Sequence, residues 1–341
     1  MKKRLCGMQS VLRKRVCDML RFKAMLQKID QVARKKTEVI IPFLFLLVLV
    51  IIISTMNPNF LTYQNIRNLY NNALPYLFMG LGQTLVILLG CIDLSVGPMV
   101  SLATTICAVT MTDSTLGFLP GLVLCVIVGL CVGFMNGLLI VRGRIPAIIA
   151  TLVTSSMLSG IALAILPVPG GEVPRAFAQV ILGSLRGFSA APYVIGAILI
   201  VTLWLMLNRT KFGKNIMATG GNEEAAHSSG IAVDRVKIAA FMLCGMLSSM
   251  GGVIIAARIG AGDPLIGAGF SINVIASVVL GGTALSGGRG GIIGTIAGVF
   301  ILLIINNILN LLGVPSYYQQ VMLGVLLIAA LTLNALKIRR I

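Results

Sequence analysis

The sequence has few of the side chains from which soluble enzymes and metalloproteins build their active sites. Only 11% of its 341 residues are charged, and histidine occurs once, as His227. A single imidazole excludes a metal site made of several histidines. The string G-x-x-x-x-G-K-[ST] is also absent, so the chain has no phosphate-binding loop of its own. Since it also lacks a nucleophile elbow, we expect neither an enzyme nor a bound cofactor or metal.

The spacing of the cysteines also gives no indication of a redox or zinc site. Seven cysteines occur, but no two have the C-x-x-C spacing that is typical of redox and zinc sites. Five of them lie in or beside apolar runs: Cys91, Cys107, Cys125, Cys131 and Cys244. Free cysteine packs as a small hydrophobic residue, so we interpret these as buried or reduced thiols.

Hydrophobic residues, in contrast, make up 57% of the chain, with a mean hydropathy of +1.00. A soluble domain cannot bury that much apolar surface, so the composition predicts an all-α polytopic membrane protein. The net charge of +17 comes from basic residues at the ends of apolar runs and near the N-terminus. That distribution is typical of membrane topology, and we do not interpret it as nucleic-acid binding.

The apolar runs predict about ten transmembrane helices, at least one of them discontinuous. The expected spans are 39–56, 73–92, 95–112, 119–141, 146–166, 191–207, 236–257, 271–283, 291–312 and 317–335. With a cytoplasmic N-terminus, 23 of the 27 Lys and Arg residues fall on the inner side. The C-terminus is then cytoplasmic as well. The first run lacks a cleavage pattern, and we expect it to be a retained span.

The N-terminal tail, residues 1–38, carries twelve Lys and Arg residues. Its apolar residues recur at helical spacing, which fits a basic amphipathic helix on the inner leaflet. A loosely ordered tail that orients the protein by charge fits equally well. We therefore divide the chain into this tail and a transmembrane domain, residues 39–341.

The longest polar interruption in the second half of the chain is Asn208–Ile231, NRTKFGKNIMATGGNEEAAHSSGI. Its basic residues predict a cytoplasmic position. Asn222 is a good N-cap for a short helix, with Glu223 and Glu224 in the first turn, where the helix dipole favours negative charge. Gly230 supplies the stop. The segment therefore predicts a cytoplasmic helix of about two turns.

Four stretches of the sequence are similar to one known family. They are CIDLSVG at Cys91–Gly97, VVLGGTALSGGRG at Val278–Gly290, GGNEEAAHSSGI from Gly220, and NNILNLLGVPSYYQ at Asn306–Gln319. Taken in their order along the chain, they resemble the sugar permeases of bacterial ABC importers, the ribose/galactose type. The resemblance covers nearly the whole chain after about Asn59. Two departures are Cys91, where glycine is usual, and the long basic N-terminus.

The resemblance implies a permease subunit that translocates a monosaccharide or related polyol across the bacterial inner membrane. It implies that the coupling segment, residues 209–231, docks onto a separate cytoplasmic ATPase. An extracytoplasmic sugar-binding protein and a second permease copy or paralogue are the other implied partners, besides membrane lipid. The implied ATPase-coupling residues are Gly220, Gly221, Asn222, Glu223, Glu224, Ala225, Ala226 and Gly230.

Two other functions stay open. A branched-chain amino-acid-type ABC permease would share the general architecture, although the motifs at 91–97 and 278–290 argue against it. A secondary transporter or channel would need no ATPase but would be expected to carry ion-coupling carboxylates in the membrane. Asp93, between the second and third expected spans, is the only carboxylate that we place at or within a membrane span.

Asp93 and Ser95 are candidate pathway residues, because polar groups at membrane depth are costly unless they serve a purpose. Asp93 is either the N-cap of a helix that follows a break or a direct contact for the sugar. Asn306 is a further pathway candidate, while polar residues such as Asn136 more often bond across helices. Glycines at four-residue spacing, Gly129–Gly133–Gly137 and Gly290–Gly294–Gly298, predict close helix packing, within one subunit or across a dimer.

Overall fold

The protein is described by a computed structural model, in which residues 40–114, 116–182, 190–315, 317–322, 324–325, 328 and 332 are placed. The predicted N-terminal tail lies outside these residues, as do nine of the nineteen residues of the predicted span 317–335. The helices are α1 Ile40–Met56, α2 Tyr63–Leu88, α3 Val96–Thr110, α4 Leu119–Val141, α5 Ala147–Ile165, α6 Arg175–Leu182, α7 Ala191–Arg209, α8 Lys211–Gly221, α9 Glu223–Ser228, α10 Val233–Ile259, α11 Phe270–Leu280 and α12 Ile292–Leu311.

The prediction of an all-α membrane protein is confirmed. Among the described residues, α4, α5, α7, α10 and α12 are long and apolar enough to cross a membrane. Shorter apolar helices are Ile40–Met56, Val96–Thr110 and Ile266–Leu280, the last of which joins a 3-10 helix, Ile266–Gly269, to α11. Within the described ranges no strand forms, apart from a single bridge between Gly170 and Gly262.

The second predicted span, 73–92, begins too late. Helix α2 starts at Tyr63, because the Thr62 side chain accepts a hydrogen bond from the Asn65 backbone N–H and so caps the helix. Residues 63–72, which precede the predicted span, therefore form the first turns of α2. The helix also ends earlier, at Leu88.

Helix α10 lies at the centre of the bundle and packs against α2, α3 and α4. The seam with α4 is made by glycines: a Cβ at Gly129 would lie 2.7 Å from the Gly245 carbonyl oxygen, and a Cβ at Gly133 would overlap that of Phe241. A Cβ at Gly137 would lie 2.8 Å from the Ile238 Cα. This glycine seam lies within one subunit.

The second set of glycines is only partly a helix seam. Gly294 and Gly298 lie in α12 against the backbone of Gly281 and Ser277, so α11 and α12 approach closely. Gly290, however, precedes α12 and has a φ of 122°, a conformation open mainly to glycine. The predicted repeat therefore holds for two of its three residues, because the turn between α11 and α12 extends to residue 291.

The predicted discontinuity lies between α2 and α3. Residues 89–95 leave the helical conformation, and α3 begins only at Val96. The segment between α5 and α7 contains the short helix α6, whose Phe177 stacks on Phe118 with ring centroids 5.3 Å apart. These irregular segments are packed against the bundle, as irregular backbone in a membrane protein must be.

Candidate functional site

The coupling segment folds into two short helices, α8 and α9. Thr210 caps α8 by accepting a hydrogen bond from the Gly213 backbone N–H. Asn222 caps α9: its side-chain oxygen accepts from the Ala225 N–H at 2.9 Å. The predicted helix with its Asn222 cap is confirmed, whereas α8 was not foreseen.

Helix α9 is anchored on one face and exposed on the other. Ala226 is only 4% exposed, and its carbonyl oxygen accepts a hydrogen bond from the Ile231 N–H at 3.1 Å. Glu223 pairs with Lys237 on α10 at a distance of 2.6 Å. Glu224, Ala225 and His227 are exposed. One face of α9 is therefore held against the protein, and the opposite face is exposed.

Helix α9 ends just before a glycine, as predicted. Ser229 ends the helix, and Gly230 follows with a φ of 81°, which a residue with a side chain adopts rarely. An open groove of about 620 Å³ runs between α9 and the start of α10. It is lined by Glu223, Glu224, His227, Ser228, Val233 and Asp234.

The two glycines at the end of α8 have different surroundings. Gly220 lies against the carbonyl oxygen of Leu88, and a Cβ there would overlap this oxygen and lie 2.8 Å from the Gly288 nitrogen. Gly221 has nothing within 4 Å of its Cβ position. The coupling segment therefore packs against the C-terminal end of α2 and the turn between α11 and α12.

Asp93 lies in the break between α2 and α3 and is 1% exposed. Its Oδ1 accepts hydrogen bonds from the Ser95 backbone N–H at 2.8 Å and the Ser95 hydroxyl at 2.5 Å. The N-cap position of α3 is Ser95, so the assignment of Asp93 as the N-cap is wrong by two residues. The carboxylate nevertheless accepts a backbone N–H just before the helix, which is the interaction that the cap hypothesis required.

A chain of hydrogen bonds continues from Ser95 into α4 and α5. The Asn136 amide nitrogen donates to Ser95 Oγ at 3.0 Å, and the Thr154 hydroxyl donates to Asn136 Oδ1 at 2.7 Å. Thr151 Oγ1 accepts from the Leu94 N–H at 3.1 Å. The expectation that Asn136 bonds across helices is confirmed. These contacts hold the break in place from two neighbouring helices.

Two further polar residues belong to the surroundings of Asp93, and the sequence did not single them out for this role. Cys244 on α10 is a neighbour of the Asp93 carboxylate, and its thiol donates a hydrogen bond to Gln83 Oε1 at 3.7 Å. Gln83 is completely buried on α2. Polar residues from four helices, α2, α4, α5 and α10, therefore surround the break.

Asn306 lies on α12, away from this cluster. Its Oδ1 is buried and has no hydrogen-bond partner among the described residues. The adjacent Asn307 differs, since it exchanges two hydrogen bonds with Asn65 of α2, at 2.8 and 3.1 Å. Asn306 thus has a free acceptor, whereas Asn307 joins two helices.

The sequence profile of one protein family, described as the branched-chain amino acid transport system permease component, matches residues 65–331. This range includes the helix break, the coupling segment and the glycine-rich turn. The chain belongs to this permease family. No solved structure matches the permease.

Several relatives of the permease have names that state a sugar. The ribose import permease protein of Escherichia coli K12 is 38% identical over 85% of this chain and 91% of its own length. The ribose import permease protein of Bacillus subtilis 168 is 41% identical over 87% and 92%. The D-allose transport system permease protein of Escherichia coli K12 is 35% identical over 86% and 90%. The permease is therefore a member of the ribose/galactose type of ABC permeases.

Proposed function

We propose that this permease carries a monosaccharide or related polyol across the bacterial cytoplasmic membrane as the membrane subunit of an ATP-driven importer. The names of the relatives, which state ribose and allose, support this substrate class. The chain itself has no phosphate-binding loop, so ATP hydrolysis belongs to a separate ATPase chain.

The observation that carries the proposal is the arrangement of α9. Its buried Ala226 and its ion pair from Glu223 to Lys237 fix the helix to the bundle, while Glu224, Ala225 and His227 stay exposed. A small helix that is firmly anchored yet exposed on one face is suited to receive force from a partner. In our account, closure of two ATPase subunits moves this helix and switches the pathway between inward- and outward-facing states.

The topology that this requires has about ten spans, with both termini in the cytoplasm. Segment 209–231 then faces the ATPase, and the segment around α6 faces an extracytoplasmic sugar-binding protein. The charge distribution supports this orientation, since 23 of 27 basic residues fall inside. A second copy of the chain, or a paralogue, completes the pathway. Residues 1–38 form the cytoplasmic tail, and residues 39–341 the permease domain.

Among the pathway candidates, Asn306 has the stronger case for a direct sugar contact. Its buried Oδ1 lacks a partner among the described residues, and a buried acceptor without a partner costs about 1–3 kcal/mol. A passing sugar hydroxyl would satisfy it. Asp93 and Ser95 already satisfy each other, which favours a role in holding the helix break over a sugar contact.

The proposal is tested by reconstituting the permease in liposomes with its cognate ATPase and binding protein. We expect sugar uptake only when all components and ATP are present. Ala225→Trp, on the exposed face of α9, should abolish ATPase docking and uptake while the permease stays folded. Ala164→Trp, an exposed position near the far end of α5, is the matched control and should leave both unchanged. Docking and uptake that survive in Ala225→Trp contradict the coupling role.

The same reconstitution separates the two alternatives. A branched-chain amino-acid permease, the function named in the family description, would take up those amino acids instead of sugar. A secondary transporter would work in liposomes that contain this chain alone. Sugar uptake that depends on ATP hydrolysis excludes both.

A further inference from the structure

Three backbone segments meet beneath the coupling segment, and glycines line the contact. They are the end of α2 and the residues after it, 88–90; the end of α8, 219–221; and the turn before α12, 286–288. We call this contact the glycine junction. The Gly288 N–H donates a hydrogen bond to the Leu88 carbonyl oxygen at 2.9 Å, which joins the first and third segments directly.

The junction leaves no room for side chains. A Cβ at Gly287 would lie 2.7 Å from the Gly220 carbonyl oxygen and 2.8 Å from the Gly90 nitrogen. A Cβ at Gly288 would lie 2.8 Å from the Gly221 Cα. Real Cβ atoms essentially never approach other atoms so closely, so each of these sites requires glycine.

The conformations of the same residues point to a fixed geometry. Gly90, Gly287 and Gly288 have φ values of 74°, 83° and 71°, which place all three in the left-handed region that favours glycine. The contact consists of main chain against main chain. Because no flexible side chain lies between the segments, a displacement of α8 cannot be absorbed by a rotamer change and must be passed on or opposed.

We infer that the glycine junction transmits movement of the coupling segment to α2 and, through the turn 281–291, to α11 and α12. The inference rests on the proposed coupling to an ATPase. It adds a second route to the ion pair between Glu223 and Lys237, which connects α9 to α10. Gly220, Gly287 and Gly288 are then positioning residues, since they act through the helices that they join.

Two helical glycines, Gly220 at the end of α8 and Gly160 in α5, provide a matched pair of variants. Gly220→Ala adds a methyl group against the Leu88 carbonyl oxygen, whereas Gly160→Ala adds one where nothing lies within 4 Å. The complete importer is reconstituted with each variant, and three quantities are measured: ATPase co-purification, ATP hydrolysis, and sugar molecules taken up per ATP. The number of sugar molecules taken up per ATP separates a transmission defect from a folding defect. A permease that is merely destabilised forms fewer active complexes, but each complex keeps the wild-type uptake per ATP.

We expect Gly220→Ala to retain the ATPase but to lower uptake per ATP by about tenfold, within the range of coupling between sites in proteins. Gly160→Ala should keep the wild-type ratio. A wild-type ratio in Gly220→Ala overturns the inference. If the wild-type permease itself does not couple uptake to ATP, the proposed function fails instead, so the two failures are distinguishable.

A second measurement leaves the glycines of the junction unaltered and tests the inference if Gly220→Ala does not fold. Spin labels are placed at Ala218 and Ser286, both exposed on either side of the junction, in a chain whose native cysteines are replaced by alanine. The separation of these labels should stay constant between nucleotide-free and ATP-trapped importer. The separation between Ala218 and a label at Ala164 on α5 should change. A change between Ala218 and Ser286 as large as that between Ala218 and Ala164 contradicts transmission through the junction.

Discussion

Glu223 on α9 and Lys237 on α10 form an ion pair with an Oε1–Nζ distance of 2.6 Å. Their surroundings differ, since the Lys237 side chain is 13% exposed and that of Glu223 is 56% exposed. The pair therefore joins an exposed helix to a side chain held in the bundle. Because α10 packs against α2, α3 and α4, movement of α9 has a direct connection to the centre of the protein.

Reversing the charge of Glu223 should uncouple α9 from α10. Glu223→Lys places two ammonium groups together, and we expect lower sugar uptake with a loss of stability of about 1 kcal/mol or less, because exposed ion pairs contribute little. The exchange Glu223→Lys with Lys237→Glu should recover both. Uptake assays and thermal unfolding of the purified permease measure these changes.

Glu224→Lys is the control for thermal stability, since Glu224 is exposed and has no ion pair within the described part of the chain. It loses only the favourable interaction of an acidic side chain with the helix N-terminus, so it should lower the unfolding temperature less than Glu223→Lys does. If the double exchange is as unstable as the single variant, the pair does not hold α9.

The glycine seam between α4 and α10 should tolerate no added methyl group. In Gly133→Ala the new Cβ overlaps the Phe241 carbonyl oxygen and lies 2.6 Å from the Met242 Cα, so we expect a loss of about 1–3 kcal/mol in unfolding free energy. Thermal unfolding in lipid nanodiscs measures it. Gly160→Ala on α5, where nothing lies within 4 Å, should be neutral or slightly stabilising, because alanine favours the helix. Equal losses of unfolding free energy in Gly133→Ala and Gly160→Ala would contradict close packing of α4 against α10 at the glycine seam.

Substitution of Asp93 separates its two candidate roles. Asp93→Asn keeps an oxygen that accepts the Ser95 N–H, whereas Asp93→Leu leaves both Ser95 donors unpaired. Each buried donor that loses its partner costs about 1–3 kcal/mol, so Asp93→Leu should unfold at a clearly lower temperature than Asp93→Asn. If Asp93 holds the break, Asp93→Asn should still transport. Loss of uptake in Asp93→Asn at an unchanged unfolding temperature would instead favour a direct sugar contact.

Asn306 and Asn307 are adjacent, but we expect alanine to affect sugar uptake at Asn306 and stability at Asn307. Asn306→Ala removes an acceptor that has no partner in the described structure, so stability should be unchanged or slightly higher while sugar uptake falls. Asn307→Ala breaks both hydrogen bonds to Asn65 and should lower stability. Uptake and thermal unfolding are measured for each. Normal uptake in Asn306→Ala removes this residue from the pathway.

Features that depend on neighbouring residues in the sequence were predictable. The cap at Asn222, the left-handed Gly230 and the span Leu119–Val141 all follow from local rules, namely the cap preference, the need for glycine and a long apolar run. The glycine repeat from Gly129 was readable because four-residue spacing places these residues on one helix face.

Features that depend on contacts between residues far apart in the sequence were not predictable. Gly90, Gly220 and Gly287 meet only in the folded protein, and nothing in their separate motifs says that they share a contact. The same holds for Gln83 and Cys244, which reach the Asp93 region from α2 and α10. The start of α2 was placed too late because the polar residues before Ala73 resemble a loop, although Thr62 caps a helix there.

The central claim is that α9 faces the cytoplasm and meets the ATPase, and the accessibility of one engineered thiol tests it most directly. Ala225→Cys is labelled with a membrane-impermeant maleimide in a chain without native cysteines. We predict no labelling in intact cells, full labelling in inverted membrane vesicles stripped of the ATPase, and protection when the ATPase is added back. Labelling in intact cells, or no protection by the ATPase, would contradict the account.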